Sequence, residues 1–492
     1  MVDEPVLSNQ IIEIQNYING EFKPSTNSEL LNNIDPSTSE IYSTLPKSDA
    51  LDVVYAIQAA KKAFDRWKSL STQERSDWLH KIADGIQNNF EAFAEAESRD
   101  TGKPLWLARS LDIPRAIENF RFFANRILNY ESKSYDSKNT LSYVQKSPLG
   151  VCALISPWNL PLYLLTWKIA PCLAAGNVAI CKPSEVTPMT AFLLAKVFQD
   201  INLPKGVCNI LFGLGQDVGE ALVSHPGVSA ISFTGGTSTG KTIAGIAAPS
   251  FKKLSLELGG KNSAIILKDA DLKKAVDVCI KSSFLNQGEI CLCTERIFIQ
   301  NEIYDDFKNL FLEEVAKLKV GDPKLEQNFM GPLVSKPHLE KVLDCIELAK
   351  KDKAKILYGG EIPPKAELGH EVQNGYFLKP TVMEELSDCS ELQQDEIFGP
   401  VVSLRPFKHA FEAVKWANTT PYGLCATLFT QDLSKAHKLA STLDVGTVWI
   451  NTWLKRDLRV PFGGMKSSGL GREGGDYSLD FFTEAKTVCL EI

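Results

Sequence analysis

From residue 150 onward the chain is a succession of short apolar runs separated by stretches of helical periodicity. That alternation restricts its folding more than any other feature. The runs at 151–155, 178–182, 207–212, 228–233 and 262–267 are rich in Val, Ile and Phe and are apolar at consecutive positions. A strand that is apolar on both faces must be covered on both, and helices between successive strands give a parallel sheet. A second strand–helix series runs from about 262 to 450. The expected fold class is therefore α/β, with two parallel-sheet domains of similar size, for which 492 residues leave ample room. Two segments fall outside both series. One is 125–149, with apolar Leu141, Tyr143 and Val144; the other is the tail KTVCLEI (486–492). Both read as strands that pair with each other or with another subunit.

Upstream, 48–100 reads as two helices. Ser48 is the expected N-cap of the first, ahead of Val54, Ile57, Ala60, Phe64 and Trp67. Ser71 and Glu74 form a capping box before Leu79, Ile82, Ile86, Phe90 and Phe93, and Gly102 and Pro104 close the segment. Lys plus Arg total 53 against 60 Asp plus Glu, a net charge of −7 with no basic block, which argues against nucleic acid or an anionic membrane as partner. No apolar run approaches the ~18 residues of a membrane span. The start MVDEPVLSNQ is acidic, unlike a signal or transit peptide, so the expected compartment is the cytoplasm. The 11 cysteines are odd in number and irregularly spaced, which excludes a disulfide framework. Cys152, Cys181 and Cys208 sit in apolar runs and read as buried. Cys291-Leu292-Cys293 has the wrong spacing for a zinc knuckle, the histidines are scattered, and no metal site is expected.

Several motifs carry chemistry. In AISFTGGTSTGKTIAGIAA (230–248) a strand runs into Gly235, Gly236 and Gly240 and then into a helix. Glycines there let backbone N–H groups approach a phosphate. Gly235-x4-Gly240-Lys241-Thr242 also satisfies the P-loop formula, with Asp269 or Asp271 as the magnesium-holding acid. A nucleotide hydrolase and a dinucleotide-binding enzyme are both compatible with this motif taken alone. Gly213, Gly215 and Gly219 form a looser glycine turn. Cys291, in FLNQGEICLCTER (284–296), lies among polar residues as a nucleophile would rather than in a core strand. Glu257, wedged between leucines in SLELGGKNS, would be desolvated into a general base. Asn159, between prolines in ISPWNLP, offers a fixed amide for an oxyanion. Lys182 and Glu185 in KPSE follow a strand end, where ribose hydroxyls bind in α/β sheets. EIFGP (396–400) places an acid and an aromatic on a tight turn.

Taken together, ISPWNLP, KPSE, FTGGTSTGK, LELGGKN, NQGEIC, EIFGPV and PFGGMKSSGLGREGG (461–475) resemble the aldehyde dehydrogenase superfamily, in its order and spacing, over essentially the whole chain. The resemblance implies two Rossmann-like parallel-sheet domains plus a small β oligomerisation element. The NAD-binding domain would be 1–124 and 150–258, the catalytic domain 259–460, and the oligomerisation element 125–149 and 476–492. It also implies NAD-dependent oxidation of an aldehyde through a cysteine thiohemiacetal and thioester. Cys291 matches the nucleophile, Asn159 the oxyanion-binding amide and Glu257 the base that activates water. Ile155, Trp158, Lys182, Ser184, Glu185, Gly215, Gly235, Gly236, Leu258, Glu396 and Phe398 match positions that bind the cofactor. Glu185 would repel a 2′-phosphate and so favours NAD over NADP. The partners implied are a small-molecule aldehyde and further copies of the chain, as a homodimer or homotetramer. A non-catalytic structural protein would lack the nucleophile or the base, and both are present.

Two further stretches, Asp112-Ile113-Pro114-Arg115 and Asn451 to Arg459, resemble the 2-aminomuconate 6-semialdehyde and 2-hydroxymuconate semialdehyde dehydrogenases. That resemblance implies a conjugated, carboxylate-bearing substrate from tryptophan (kynurenine) catabolism. Arginine binds carboxylates bidentately, which makes Arg115 and Arg456 (or Arg459) the candidate clamp. Retinal and general aliphatic aldehydes are the alternatives.

Overall fold

A computed structural model describes residues 11–492 of the chain. The acidic stretch 1–10, on which the expectation of no leader rests, lies outside them. Two sheets form the frame. In the first, the spatial order is Gly469–Leu470, Lys253–Glu257, Ala230–Thr234, Val151–Ile155, Val178–Lys182, Cys208–Ile210, Asn16–Ile18, Glu21–Lys23. Its five strands from Lys253–Glu257 to Cys208–Ile210 are mutually parallel, and the edges are antiparallel. Val151–Ile155 comes first of the five in the chain and lies in the middle. The chain moves outward from it to Cys208–Ile210, then crosses back to Ala230–Thr234 on its other side. Strand order therefore reverses between Val151–Ile155 and Ala230–Thr234, and the loops leaving their carboxyl ends diverge into a crevice.

The five apolar runs are all strands. Lys253–Glu257, the one parallel strand of the first sheet that is not among those runs, alternates Lys253, Ser255 and Glu257 with leucines, so it lacks the continuous apolar signature. The second sheet runs Lys355–Tyr358, Thr381–Glu384, Val401–Phe407, Thr294–Gln300, Asn262–Ile266, Cys425–Phe429, Thr447–Ile450, and only its first pair is antiparallel. Apolar helix faces cover both sheets. Cys152, Cys181 and Cys208 are buried there, and all 11 cysteines are free.

Local boundaries differ from expectation in three places. Asp49, not Ser48, caps helix Ala50–Lys68, in a capping box with Asp52. Ser48 is buried and hydrogen-bonds Asn16 instead. The Ser71–Glu74 capping box heads Thr72–Asn88, but the chain breaks at Asn89, and a third helix, Phe90–Thr101, ends on left-handed Gly102. Segment 125–149 opens with the last turn of helix Ile113–Ile127, and 476–492 begins inside helix Gly475–Phe481. Beyond those helices, Thr140–Pro148 pairs antiparallel with Thr483–Glu491 along its whole length, with Ser134–Ser137 on its other side. Among the described residues no helix is long and apolar enough to cross a membrane.

Candidate active site

The crevice at the reversal of strand order is a cleft of about 500 Å³. Ile155, Ser156 and Trp158 line it from the first strand's exit, Lys182, Ser184 and Glu185 from the next, Gly215 and Gly219 from the following turn, and Gly235 and Gly236 from the exit of Ala230–Thr234. A Cβ added at Gly215 or Gly236 would meet nothing within 4 Å, so the backbone at both positions is bare toward the cleft. Gly236 caps helix Thr237–Ala247, whose Ser238, Thr239 and Thr242 also face the cleft. The helix therefore turns its positive end toward any phosphate held there. Lys182 Nζ lies 2.8 Å from Glu185 Oε2. This outline suits a dinucleotide: charged groups for a ribose at one end and bare amides for a pyrophosphate.

The P-loop alternative fails on geometry. The helix starts at Thr237, so Gly240 lies inside it, where a Cβ would come within 2.6 Å of Leu258, and Lys241 is exposed on its outer face. Asp269 accepts hydrogen bonds from Thr430, Gln431 and Asp432, and Asp271 caps helix Leu272–Phe284.

A second, narrower chamber adjoins the cleft. Its walls include Leu111, Arg115, Tyr163, Trp167, Thr234, Glu257, Leu258, Cys291, Arg456, Phe462 and Glu473. Cys291 reaches it at the end of a tight loop in which Asn286, Gln287 and Gly288 have φ of +53°, +56° and +74°. Three successive left-handed residues turn the chain sharply out of helix Leu272–Phe284 and aim the thiol inward. Asn262 Nδ2 fixes the loop's far side by donating to the carbonyls of Cys291 (2.7 Å) and Cys293 (2.9 Å). A Cβ at Gly288 would lie 2.3 Å from the Gly399 carbonyl oxygen, so this loop is packed directly on EIFGP. Burial, together with Glu396 and Glu257, pushes the Cys291 thiol up to about 12, and Arg456 pulls the other way.

Glu257 ends strand Lys253–Glu257. It is buried, and neither of its carboxylate oxygens has a hydrogen-bond partner. Burial holds its carboxyl well above the usual range; Glu473 adds to this, and Lys168, Arg456 and Arg472 oppose it. Glu473 accepts from Lys168 Nζ at 3.0 Å and from Ser232 Oγ at 3.1 Å. Asn159 lies one residue before Leu160, itself a lining residue, and is buried. Its amide nitrogen donates to the Glu289 carbonyl at 2.8 Å, which uses one of its two N–H groups and sets the plane of the amide.

Glu396 and Phe398 arrive from the second sheet's side. Glu396 Oε1 accepts from the Gly260 N–H at 2.8 Å, and burial pushes its carboxyl up to about 8. Phe398, at φ +60°, sets its ring edge-on to Trp158 with centroids 5.3 Å apart. Leu258, grouped by resemblance with the cofactor positions, lines the reaction chamber. Both proposed clamp arginines face that chamber. Arg456 donates to the Tyr163 hydroxyl at 3.0 Å and stacks 3.9 Å from the Phe462 ring centroid, while the Arg115 guanidinium lies 5.8 Å from the Tyr163 centroid. Arg459 turns outward to Asp457 and is 79% exposed, which decides between it and Arg456. Tyr163, Lys168 and Glu473 went unread in the sequence. Lys168 had a signal, as the single charge in the apolar helix Pro161–Ala174.

Residues 22–488 match the aldehyde dehydrogenase family. The chain belongs to that family. It is 48% identical to the 2-aminomuconic semialdehyde dehydrogenase of Homo sapiens, over 98% of this chain and 99% of that one. It is 42% identical to the 2-hydroxymuconic semialdehyde dehydrogenase of Pseudomonas sp. (strain CF600), over 98% of this chain and 100% of that one. An NAD+ complex of aldehyde dehydrogenase from Bacillus cereus shares its fold with a TM-score of 0.94 at 37% identity, covering 98% of this chain and 97% of the other. The protein is thus an NAD-dependent aldehyde dehydrogenase with the family's fold, and the cleft at the strand-order reversal has the shape and chemistry that NAD requires.

Proposed function

We propose that this dehydrogenase oxidises a conjugated, carboxylate-bearing aldehyde, 2-aminomuconate 6-semialdehyde, to the corresponding acid in tryptophan (kynurenine) breakdown. The observation that carries this reading is that Arg115 and Arg456 line the same chamber as Cys291 and Glu257. A substrate with an aldehyde at one end and a carboxylate at the other meets a thiol and two guanidinium groups in one space. The muconic semialdehyde dehydrogenases among the relatives support the same choice.

On this reading the Cys291 proton passes to Glu257, and the thiolate adds to the aldehyde carbon. The second N–H of the Asn159 amide and the Cys291 backbone N–H hold the oxyanion of the thiohemiacetal. NAD, when bound, supplies the acceptor for the hydride that leaves this carbon, and a thioester to Cys291 remains. Glu257, ionised again, takes a proton from water, whose oxygen attacks the thioester. The C–S bond breaks, the acid departs, and the sulfur regains a proton. A carboxylate without hydrogen bonds is free to face first the thiol and then the water. Glu473, linked to Lys168 and Ser232 in the same wall, offers an acceptor for the proton that Glu257 must shed between the two steps. Lys182 and Glu185 hold the adenine ribose and Glu396 the nicotinamide ribose, with Phe398 and Trp158 beside it. Glu185 disfavours the 2′-phosphate of NADP.

The first sheet and its helices serve as the NAD-binding domain and the second sheet as the catalytic domain. The enzyme works as a cytoplasmic homodimer or homotetramer, joined through the sheet of Thr140–Pro148 and Thr483–Glu491, which leaves Tyr135, Tyr143 and Leu490 exposed. Retinal is the second reading, favoured by the apolar Leu111, Leu160, Leu164, Trp167 and Leu454 in the chamber wall. The test is NADH formation, followed by absorbance, with 2-hydroxymuconate semialdehyde, retinal, betaine aldehyde and a neutral aliphatic aldehyde. Preference for the muconate compound is expected, and preference for retinal overturns the assignment.

A further inference from the structure

Lys103 has no part in the chemistry above, yet its side chain is completely buried against it. It follows the left-handed turn at Gly102. Its ammonium lies 3.0 Å from Asp112 Oδ1, 3.7 Å from Glu97 Oε1 and 3.1 Å from the main-chain carbonyl of Asn159. A buried ion pair needs only the acids. The third contact reaches 56 residues along the chain to the main-chain carbonyl of Asn159, the residue read above as the oxyanion-binding amide.

Asn159 is held between two anchors. Its side chain donates to the Glu289 carbonyl on the Cys291 loop, and its own carbonyl accepts from Lys103, with a longer bond of 3.4 Å from Asn286. Fixing both ends sets the direction of the amide's remaining N–H. Asp112, the other partner of Lys103, lies at the N-terminal boundary of helix Ile113–Ile127, three residues before Arg115. Burial pushes the Glu97 carboxyl up to about 8, so near neutrality one acid of the pair tends to keep its proton. One ammonium and one carboxylate then balance beneath the site, which avoids an uncompensated buried charge.

We propose that Lys103 is a positioning residue for the oxidation: it holds Asn159 in register with Cys291 and ties that register to the helix carrying Arg115. The proposal rests on the oxyanion role of Asn159, and its test separates the two. Misplacement of a reacting group by about 1 Å costs on the order of 100-fold in rate. Lys103→Met is therefore expected to lower kcat ~100-fold with acidic and neutral aldehydes alike, leaving KM for NAD unchanged. That variant strands two buried acids, so Lys103→Met combined with Asp112→Asn is made beside it. There only Glu97 remains, and burial keeps it neutral. The same kcat loss is expected in the combined variant, and it should vanish when either change is placed in an Asn159→Ala background.

A wild-type kcat in the combined variant overturns the proposal. So does a loss that persists undiminished in Asn159→Ala, or failure of both variants to yield folded protein, which would make Lys103 purely structural. A wild-type kcat for Asn159→Ala alone defeats the oxyanion reading, and the proposal with it.

Discussion

Replacing Arg115 by methionine tests the carboxylate clamp more cleanly than any change at Arg456. Methionine keeps an unbranched apolar stem beside the Tyr163 ring. The ion pair it removes among the described residues, to Glu118 at 3.6 Å, has a carboxylate that is 61% exposed, and such pairs contribute little to stability. The loss is then confined to the substrate. A hydrogen bond to a charged group contributes about 1.5–3 kcal/mol, or about 10- to 150-fold in binding. KM for 2-hydroxymuconate semialdehyde should rise within that range while kcat stays near wild type, the signature of an interaction present equally in ground and transition states. With a neutral aliphatic aldehyde neither constant should move. Arg456 behaves differently, because its charge opposes the upward shifts at Cys291 and Glu257; removing it slows the chemistry on every aldehyde. Steady-state NADH absorbance with both substrates is the assay. An equal rise in KM for the neutral aldehyde, or no rise for the acidic one, refutes the clamp.

Cys291→Ser should abolish NADH formation while NAD binding, measured by calorimetry, persists. Glu257→Gln lacks both the acceptor for the Cys291 proton and the base for water, so it should slow thioester formation as well as its hydrolysis: NADH should form ~100- to 10,000-fold more slowly with no burst, read by stopped flow. Glu257 has its carboxyl raised by burial and acts only when ionised, so kcat should keep climbing with pH above the ordinary carboxylate range; a profile that levels off within that range contradicts this. Gly236→Ala should change Tm little, because nothing lies within 4 Å of the new Cβ, yet raise KM for NAD by ~10-fold or more, equivalent to about 1.4 kcal/mol, as the methyl group enters the cleft.

Candidate site residues that stand in short contiguous motifs could be picked out from the sequence. Cys291, Glu257 and Asn159 each stand in a setting that a buried or turn residue would not need, and the structure brings their loops together. What depended on side-chain direction was not legible. Arg456 and Arg459 lie in one irregular loop with no periodicity to assign a face, and only the exposed pairing of Arg459 with Asp457 separates them. Ser48 and Asp49 are adjacent N-caps of similar merit, and the demand of Asn16 for a buried partner settles the matter. The strand ending in Glu257 lacked the apolar continuity of its neighbours because its alternate positions meet polar partners: Lys253 donates to the carbonyls of Asp480 and Thr483, Ser255 bonds Glu473, and Glu257 faces the chamber. Lys103, Lys168 and Glu473 meet the site through contacts 56 to 305 residues away in sequence, a separation that no local pattern reports.

The crowding at Gly288 ties two loops together. With the Gly399 oxygen 2.3 Å from where a methyl group would begin, the thiol's loop and the turn bearing Glu396 and Phe398 behave as one rigid casting. On the proposed mechanism the thiol holds the carbon that gives up the hydride and the Glu396 turn holds the hydride's acceptor, so a joint with no clearance gauges the two against each other. A side chain at position 288 would push the Cys291 loop off that turn and lengthen the path across which hydride travels.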